Sequence, residues 1–332
     1  MRLEGRVVIE DVEHEALKDN PLGDPFRRAI PIYLPPGYER SGRRYPVIYW
    51  IHGWGGTGLR ETNVNPWQPS LPELIDRVIA EGVAPALLVM ADVFTTYGHS
   101  QCLNSTATGR YEDAMKELVT YVDTHYRTMA SRNHRAVNGK SSGGYSALAL
   151  AMRNPGLFGA LASHSGDIYF EACYKVDFWR AIDTIRRHGG LDAYLADWRK
   201  APKKTDELVR PMVTVVAMAM AYSPNPDSPH GFDLPFDLET GELNQAVWER
   251  WLQWDPVNMV ERHAEDLRSM RLIYVECGSR DQYNLHHGAR LLRRRMERLG
   301  IRHEYAEFDD DHTAVNYRYV ESLRRLCNVL KV

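Results

Sequence analysis

The fold class follows from one segment near the middle of the chain, Arg135-Ala-Val-Asn-Gly-Lys-Ser-Ser-Gly-Gly-Tyr-Ser-Ala-Leu-Ala-Leu-Ala-Met152. A short run of strand-forming residues leads into the pattern Gly-x-Ser-x-Gly, whose serine is Ser141. Residues 145–152 are apolar nearly all round, which is typical of a buried helix. This order predicts a strand, a sharp turn and a helix, with the Ser141 hydroxyl at the carboxyl end of a sheet. Glycines suit such a turn because neighbouring backbone packs closely around a strained residue.

Two other interpretations of this segment compete with a catalytic serine. The first is a plain turn of glycine and serine that only joins a strand to a helix. The second is a phosphate-binding loop, because Gly139-Lys140-Ser141 resembles the end of a Walker A motif. That motif needs an earlier glycine where this chain has His134, so the phosphate loop is rejected. The strand and helix on either side favour the catalytic serine over the plain turn.

Short apolar runs alternate with helical patterns along most of the chain. Runs without polar alternation suit strands that are buried on both faces, as in a parallel sheet covered by helices. The sequence therefore predicts an α/β fold with a mostly parallel sheet. Strands are predicted at 7–10, 28–34, 46–51, 86–91, 135–138, 157–162, 272–275 and 303–308, and helices at 111–126, 142–152 and 285–299.

The alternation is broken once, between residues 167 and 270. A loop of that length inside a compact domain is uncommon without structure of its own, so this segment is predicted to be a mainly helical cap. The core then consists of residues 1–166 and 271–332. Trp248, Trp251 and Trp254 in the cap have the spacing of one helical stripe. They either anchor the cap to the core or line a pocket, and the sequence leaves both open.

A serine at its ordinary pKa is a poor nucleophile and needs a base and an orienting acid. In the chain order Ser, Asp, His, the acid follows a late strand and the base follows the last strand. Asp281 comes soon after the predicted strand 272–275, and His312 comes after the strand 303–308. We therefore expect Ser141 as nucleophile, Asp281 as acid and His312 as base. The rivals of Asp281 form an acidic turn: Asp309, Asp310 and Asp311.

A glycine-rich turn, His52-Gly53-Trp54-Gly55-Gly56, follows the third predicted strand. Such a turn allows a backbone amide to point at a substrate carbonyl. We expect the amides of Trp54 and Ser142 to form an oxyanion hole, and His52 to be a packing residue rather than a second base. A tight turn without a ligand is the alternative. The expected substrate contacts are Gly53, Tyr145 and Trp248.

Composition and charge exclude several classes of function. The chain has 332 residues, with 41 Lys and Arg against 44 Asp and Glu, and a formal net charge of −3. Without a basic excess we expect no nucleic-acid partner, and without an apolar run of about 20 residues we expect no membrane span. We expect no secretory signal and a cytoplasmic location. The cysteines and histidines lack metal-ligand spacing, so no metal and no cofactor is expected. The oligomeric state stays open, a homodimer included.

The chain resembles the putative esterase family of α/β-hydrolases, which includes esterase D, feruloyl esterases, enterochelin-type esterases and mycolyltransferases. The resemblance runs from about residue 30 to the C-terminus, apart from the cap. It rests on His52-Gly53-x-Gly-Gly56, Asn104-Ser-Thr-Ala-Thr-Gly-Arg-Tyr-Glu112, Tyr126-Arg-Thr128, Gly139-Lys-Ser-Ser-Gly-Gly-Tyr145, Ser163-His-Ser-Gly166 and Cys277-Gly-Ser-Arg-Asp281. It implies an α/β-hydrolase fold: a mostly parallel eight-stranded sheet flanked by helices, with an inserted, mainly helical cap.

The resemblance also implies that Ser141, Asp281 and His312 are the triad. The last motif, Asp310-Asp311-His312, departs from the family's frequent Gly-Gly-His. The expected function is a serine carboxylic-ester hydrolase that acts through an acyl-enzyme on a soluble acyl or aryl ester. A thioesterase like S-formylglutathione hydrolase, or an acyltransferase, would use the same triad. The alternative from another class is a non-catalytic binding module that keeps the fold.

Overall fold

A computed structural model describes residues 3–331 of the chain. Eight strands form one sheet in the order β1-β2-β4-β3-β7-β8-β9-β10, and the short strands β5 and β6 pair separately. The pairs β1–β2 and β2–β4 are antiparallel, and the remaining pairs in the large sheet are parallel. The strands are Arg6–Glu13, Arg27–Leu34, Val47–Ile51, Leu87–Ala91, Asn104–Ser105, Gly109–Arg110, Arg135–Lys140, Ala160–His164, Leu272–Gly278 and Glu304–Phe308, β1 to β10.

The strands at the centre of the sheet are buried on both faces, as their apolar runs predict. Along β3, Tyr49 and Ile51 pack into one apolar cluster, and Ile48 and Trp50 pack into a second one. This alternation follows from strand geometry, in which successive side chains point to opposite faces. The sheet therefore has a hydrophobic core on each side. The predicted α/β-hydrolase fold, with a mostly parallel eight-stranded sheet flanked by helices, is confirmed.

Helices cover both faces of the sheet. Helices α2 and α14 pack into one apolar cluster, and α3, α4 and α13 pack into the other. Helix α13 ends before Gly300, whose left-handed φ of 63° suits glycine. The helices α1 to α14 are Tyr38–Ser41, Leu71–Ala80, Tyr111–His125, Ser142–Arg153, Phe170–Cys173, Phe178–Arg187, Leu191–Lys200, Asp206–Pro211, Ala217–Tyr222, Gln245–Leu252, Pro256–Arg262, Ala264–Arg268, Leu285–Arg298 and Tyr319–Leu330.

The segment between β8 and β9 consists mostly of helices, α5 to α12. Asp255, at the N-terminus of α11, joins the two ends of this segment because its carboxylate accepts the backbone amides of Tyr169 at 3.0 Å and Phe170 at 2.7 Å. Arg153 of α4 lies over the ring of Trp254 at 5.0 Å, which links the segment to the core. The division into a core and a cap with boundaries at 167 and 270 stays a prediction.

The strands of the large sheet differ by one to three residues from their predicted bounds, and β8 and β9 show why. The run 157–162 is predicted as a strand, but β8 begins at Ala160. Arg135 holds the preceding residues in a turn: its guanidinium donates to the Leu157 carbonyl at 2.9 Å, and its backbone carbonyl accepts the Gly159 amide at 3.0 Å. Strand β9 continues past residue 275 to Gly278, since β10 pairs with its end. Within residues 3–331, no helix has the length and apolar character that crossing a bilayer requires.

Candidate active site

Ser141 occupies a strained turn between β7 and α4. Its backbone has φ 59° and ψ −126°, a region that residues with side chains rarely adopt. The Ser141 amide donates to the His164 carbonyl at 2.9 Å, which holds the turn against β8. A Cβ on Gly143 would lie 2.1 Å from the Ile51 carbonyl oxygen, and one on Gly139 would lie 2.4 Å from the Gly143 oxygen. Both glycines are therefore required by close approach of the backbone.

Ser141, His312 and Asp281 form a continuous chain of hydrogen bonds. His312 Nε2 lies 3.1 Å from Ser141 Oγ, and His312 Nδ1 lies 2.7 Å from Asp281 Oδ2. The ionised carboxylate can only accept, so Nδ1 carries the proton and Nε2 is left to accept from the serine hydroxyl. The Tyr283 amide holds the other oxygen of Asp281 at 2.9 Å, and the His312 amide donates to Gln282 at 3.0 Å. The three residues come from loops that follow β7, β9 and β10.

Asp281 is buried and its pKa is lowered. Burial acts to raise the pKa, but the hydrogen bond and charge of His312 outweigh it. The carboxylate therefore stays ionised beside the imidazole. Its rivals in the acidic turn lie elsewhere: Asp309 is exposed and pairs with Arg280 at 2.9 Å, and Asp311 accepts the Thr313 amide at 2.6 Å. Of the four candidate acids, Asp281 is the one in contact with His312.

The glycine-rich turn after β3 lies against the nucleophile. A Cβ on Gly53 would be 3.4 Å from the Ser141 Cβ. His52 is fully buried, accepts the Val93 amide through Nε2 at 3.1 Å and donates through Nδ1 to the Gly53 carbonyl at 2.8 Å. Burial lowers its pKa, which suits a neutral ring that holds the turn in place. Within residues 3–331, the amides of Trp54 and Ser142 donate to no protein group.

A cleft of about 700 Å³ opens over Ser141. One wall is polar and charged and comes from the turn after β3, the loop before α2 and the strand end at Lys140. A second part of the lining, called the second wall, comes from the segment 167–270 and the loop before α13, and it is mostly apolar or aromatic. The polar wall consists of Arg60, Glu61, Asn63, Asn65, Gln68 and Lys140, and the second wall of Asp167, Cys173, Tyr174, Val209, Val213, Thr214, Tyr283 and Leu285.

Glu61 is the titratable group of the polar wall with a pKa near neutrality. Burial raises its pKa to about 7, against the attraction of Arg60 and Lys140. Burial also lowers the pKa of Lys140, while nearby carboxylates, Asp281 first among them, oppose that shift. This wall therefore offers polar groups of both signs to a ligand beside Ser141.

Six of the eight site residues predicted from the sequence lie at the cleft, Gly53 among them. Tyr145 and Trp248 do not. Ser141, Asp281, His312, Trp54 and Ser142 surround the cleft or contact a residue that lines it. The structure places Tyr145 and Trp248 away from the cleft, which gives no support to the expected substrate contacts.

Tyr145 is fully buried one turn into α4, where its ring packs against Tyr222 with centroids 5.6 Å apart. Trp248 is buried between Phe178 and Trp251, at 5.4 Å and 5.9 Å. Both belong to the hydrophobic core, which fits the anchoring interpretation of the tryptophan stripe. Position next to the Gly-x-Ser-x-Gly motif did not predict the direction of the Tyr145 side chain, and helical spacing did not predict that of Trp248.

Sequence reasoning missed Asp167 and Tyr174. Asp167 directly follows the motif Ser163-His-Ser-Gly166 and is 6% exposed in the cleft wall. The motif was a signal that the loop after β8 reaches the site. The partners of Asp167, however, come from distant parts of the chain, and no local pattern indicates them.

These features define an α/β-hydrolase-fold protein in which a strained serine contacts a histidine, and this histidine contacts a buried aspartate. Residues 26–323 match the model of the Esterase family, described as "Putative esterase", and the chain belongs to that family. The family resemblance stated from the motifs is thereby confirmed.

The chain is also similar to two curated relatives over part of its length. It is 32% identical over 144 residues to an endo-1,4-beta-xylanase/feruloyl esterase of Xylanibacter ruminicola, covering 42% of this chain and 19% of that protein. It is 30% identical over 149 residues to an esterase of Mycobacterium tuberculosis, covering 41% of this chain and 28% of that protein. The chain therefore spans less than a third of the length of these relatives.

Solved structures of esterases share the fold over nearly the whole chain. A ferulic acid esterase superposes with a TM-score of 0.64 at 17% identity, covering 99% of this chain and 100% of that one. An S-formylglutathione hydrolase from Agrobacterium tumefaciens superposes with a TM-score of 0.61 at 14% identity, covering 100% and 98%. At such identities the likeness shows a common fold.

Proposed function

We propose that this protein is a serine carboxylic-ester hydrolase that acts on an acyl or aryl ester through an acyl-enzyme. The observation that carries the proposal is the chain of hydrogen bonds from Ser141 through His312 to Asp281, which ends at a cleft. Membership in the Esterase family supports the same class of reaction. The feruloyl esterase among the relatives favours an ester with an aromatic acyl group.

Acylation begins when Ser141 Oγ attacks the ester carbonyl carbon and His312 Nε2 takes the hydroxyl proton. Asp281 holds the imidazole in the correct tautomer and stabilises the imidazolium that forms. The carbonyl oxygen becomes an oxyanion, and the amides of Trp54 and Ser142 are the donors proposed to bind it. These amides lie at the N-terminus of α4 and in the turn after β3, where no protein acceptor competes for them among residues 3–331.

Collapse of this intermediate breaks the bond to the alcohol, which leaves with the proton from His312. A water molecule then attacks the acyl-enzyme while His312 accepts its proton, and the carboxylic acid and free Ser141 are released. The proposed reaction requires no metal and no cofactor. The two walls of the cleft suggest that the apolar wall holds the acyl chain and the polar wall holds the alcohol.

Turnover of p-nitrophenyl esters from acetate to octanoate tests this proposal. We expect Ser141→Ala to lower kcat by about 10³-fold or more, because the nucleophile acts as a unit with its base. Ser322→Ala is the control, since Ser322 also contacts a histidine but is fully buried away from the cleft. Wild-type turnover in Ser141→Ala would contradict the proposal, as would a folded wild type that hydrolyses none of the esters or reacts at another residue.

A further inference from the structure

Asp167 is a buried carboxyl group in the cleft wall that the triad does not use. It follows β8 by three residues and is 6% exposed. Among residues 3–331, no lysine, arginine or histidine nitrogen lies within 4 Å of it. Burial raises its pKa, and hydrogen bonds from Ser142 and Tyr174 oppose that shift. A carboxyl group in such a position is costly unless hydrogen bonds compensate the loss of water.

One oxygen of Asp167 receives all the hydrogen bonds that residues 3–331 supply to this side chain. Oδ2 accepts the hydroxyls of Ser142 and Tyr174, each at 2.8 Å, and the amide nitrogen of Gln101 at 3.4 Å. These donors come from the start of α4, the end of α5 and the loop after β4, so three parts of the chain fix the carboxylate. Oδ1 accepts no hydrogen bond from residues 3–331. Because Asp167 lines the cleft, Oδ1 is the oxygen left for a ligand.

The surroundings of Asp167 select the kind of donor that a ligand could bring. Cys173, Val213 and Leu285 line the same wall and suit a hydrocarbon chain or ring. Arg60 and Lys140 line the same cleft and already supply two positive charges beside its carboxyl groups, Glu61 and Asp167, which disfavours a further cation there. A neutral hydroxyl group on an otherwise apolar acyl chain therefore fits this wall better than an ammonium group.

We propose that Asp167 Oδ1 accepts a hydrogen bond from a hydroxyl group on the acyl part of the substrate, and so selects hydroxylated acyl esters. The proposal rests on the ester hydrolase function above and adds the substrate class. Asp167 is thus a specificity-determining residue. Asp167 also binds the hydroxyl of Ser142, whose amide is a proposed oxyanion donor. Its substitution is therefore expected to change kcat/KM for every substrate to some extent. The test must therefore compare two substrates within the same variant.

Methyl esters that differ by one hydroxyl group provide this comparison. The pairs are methyl butanoate with methyl 3-hydroxybutanoate, and methyl 3-phenylpropanoate with its meta- and para-hydroxyphenyl derivatives. We expect the wild type to prefer the hydroxylated ester about tenfold in kcat/KM in at least one pair. In Asp167→Asn the amide oxygen still accepts the hydrogen bonds of Ser142, Tyr174 and Gln101, and the NH₂ group then faces the cleft. This group can donate to a hydroxyl oxygen, but without the charge of the carboxylate the hydrogen bond is weaker, so we expect the preference to fall to about threefold or less.

Thr214→Val is the matched control in the same wall. The Thr214 hydroxyl already donates to the Arg210 carbonyl at 2.7 Å, so its loss should keep the preference ratio. The inference is overturned if the wild type prefers the hydroxylated ester by no more than threefold in kcat/KM in every pair. It is also overturned if Asp167→Asn lowers kcat/KM equally for both esters of a pair and so keeps the ratio. Hydrolysis of the plain esters in either case leaves the proposed function intact. Failure to hydrolyse any ester contradicts the proposed function instead.

Discussion

Residues 3–331 contain two series of hydrogen bonds that link a serine, a histidine and a carboxylate, and one of the two reaches the cleft. Besides the contacts of His312 with Ser141 and Asp281, His164 contacts Ser322 through Nε2 at 2.7 Å and Glu276 through Nδ1 at 2.8 Å. All three residues of this second series are buried, Ser322 completely, and none lines the cleft. A serine that contacts a histidine, which in turn contacts a carboxylate, is therefore not a nucleophile by that arrangement alone. Access to substrate and donors for the oxyanion distinguish Ser141 from Ser322.

Glu276 gives the second series a role in stability that depends on pH. Burial acts to raise its pKa, but the charge and hydrogen bond of His164, with Arg318 and Tyr274, lower it to about 2. An acid with a lowered folded-state pKa stabilises the fold above its unfolded value, and this stability is lost as pH falls toward the folded value.

The free energy of unfolding should therefore decrease between about pH 5 and pH 2. We expect the wild type to lose about 2 kcal/mol more than Glu276→Gln between pH 6 and pH 3. Urea denaturation of both proteins at the two pH values measures this difference. Equal losses in the two proteins would show that Glu276 does not carry the effect.

At the scale of elements, the unit β7-turn-α4 is the part of the fold that is most strongly specified by local sequence. The glycines of the turn, the buried run of β7 and the apolar helix all predict the same arrangement. Strand ends were less predictable because partners set them: β9 continues to Gly278 through its pairing with β10. The sequence also placed Asp281 and His312, because chain order and the ends of parallel strands fix where such side chains meet.

The close packing of this unit gives a prediction for Gly143. A Cβ at this position would lie 2.1 Å from the Ile51 oxygen and 2.5 Å from the His52 oxygen, so backbone must move. We expect Gly143→Ala to cost about 3 kcal/mol or more, as overpacking of a core does. Gly156→Ala is the control, because its Cβ would meet nothing within 4 Å. Thermal unfolding of both variants tests this, and equal melting temperatures would contradict it.

At the scale of the whole molecule, the cleft forms where the sheet core meets the segment 167–270. The loops at the strand ends of the sheet provide Ser141, Asp281 and His312, while the segment 167–270 provides Tyr174 and Val213 in the wall. The sequence predicted the segment and its helices but not which of its aromatic residues face the cleft. Tyr174 and Trp248 are both aromatic residues of this segment, yet Tyr174 lines the cleft and packing directs Trp248 into the core. Side-chain direction within an irregular helical segment depends on tertiary contacts that no local period encodes.

The central claim is that Ser141, and no other serine, is activated for nucleophilic attack. Labelling with a fluorophosphonate, followed by intact mass measurement and peptide mapping, tests it most directly. We predict one label per chain on Ser141 in the wild type, none in Ser141→Ala and none on Ser322 in either protein. A folded wild type that takes no label, or a Ser141→Ala variant that is still labelled, would contradict the claim.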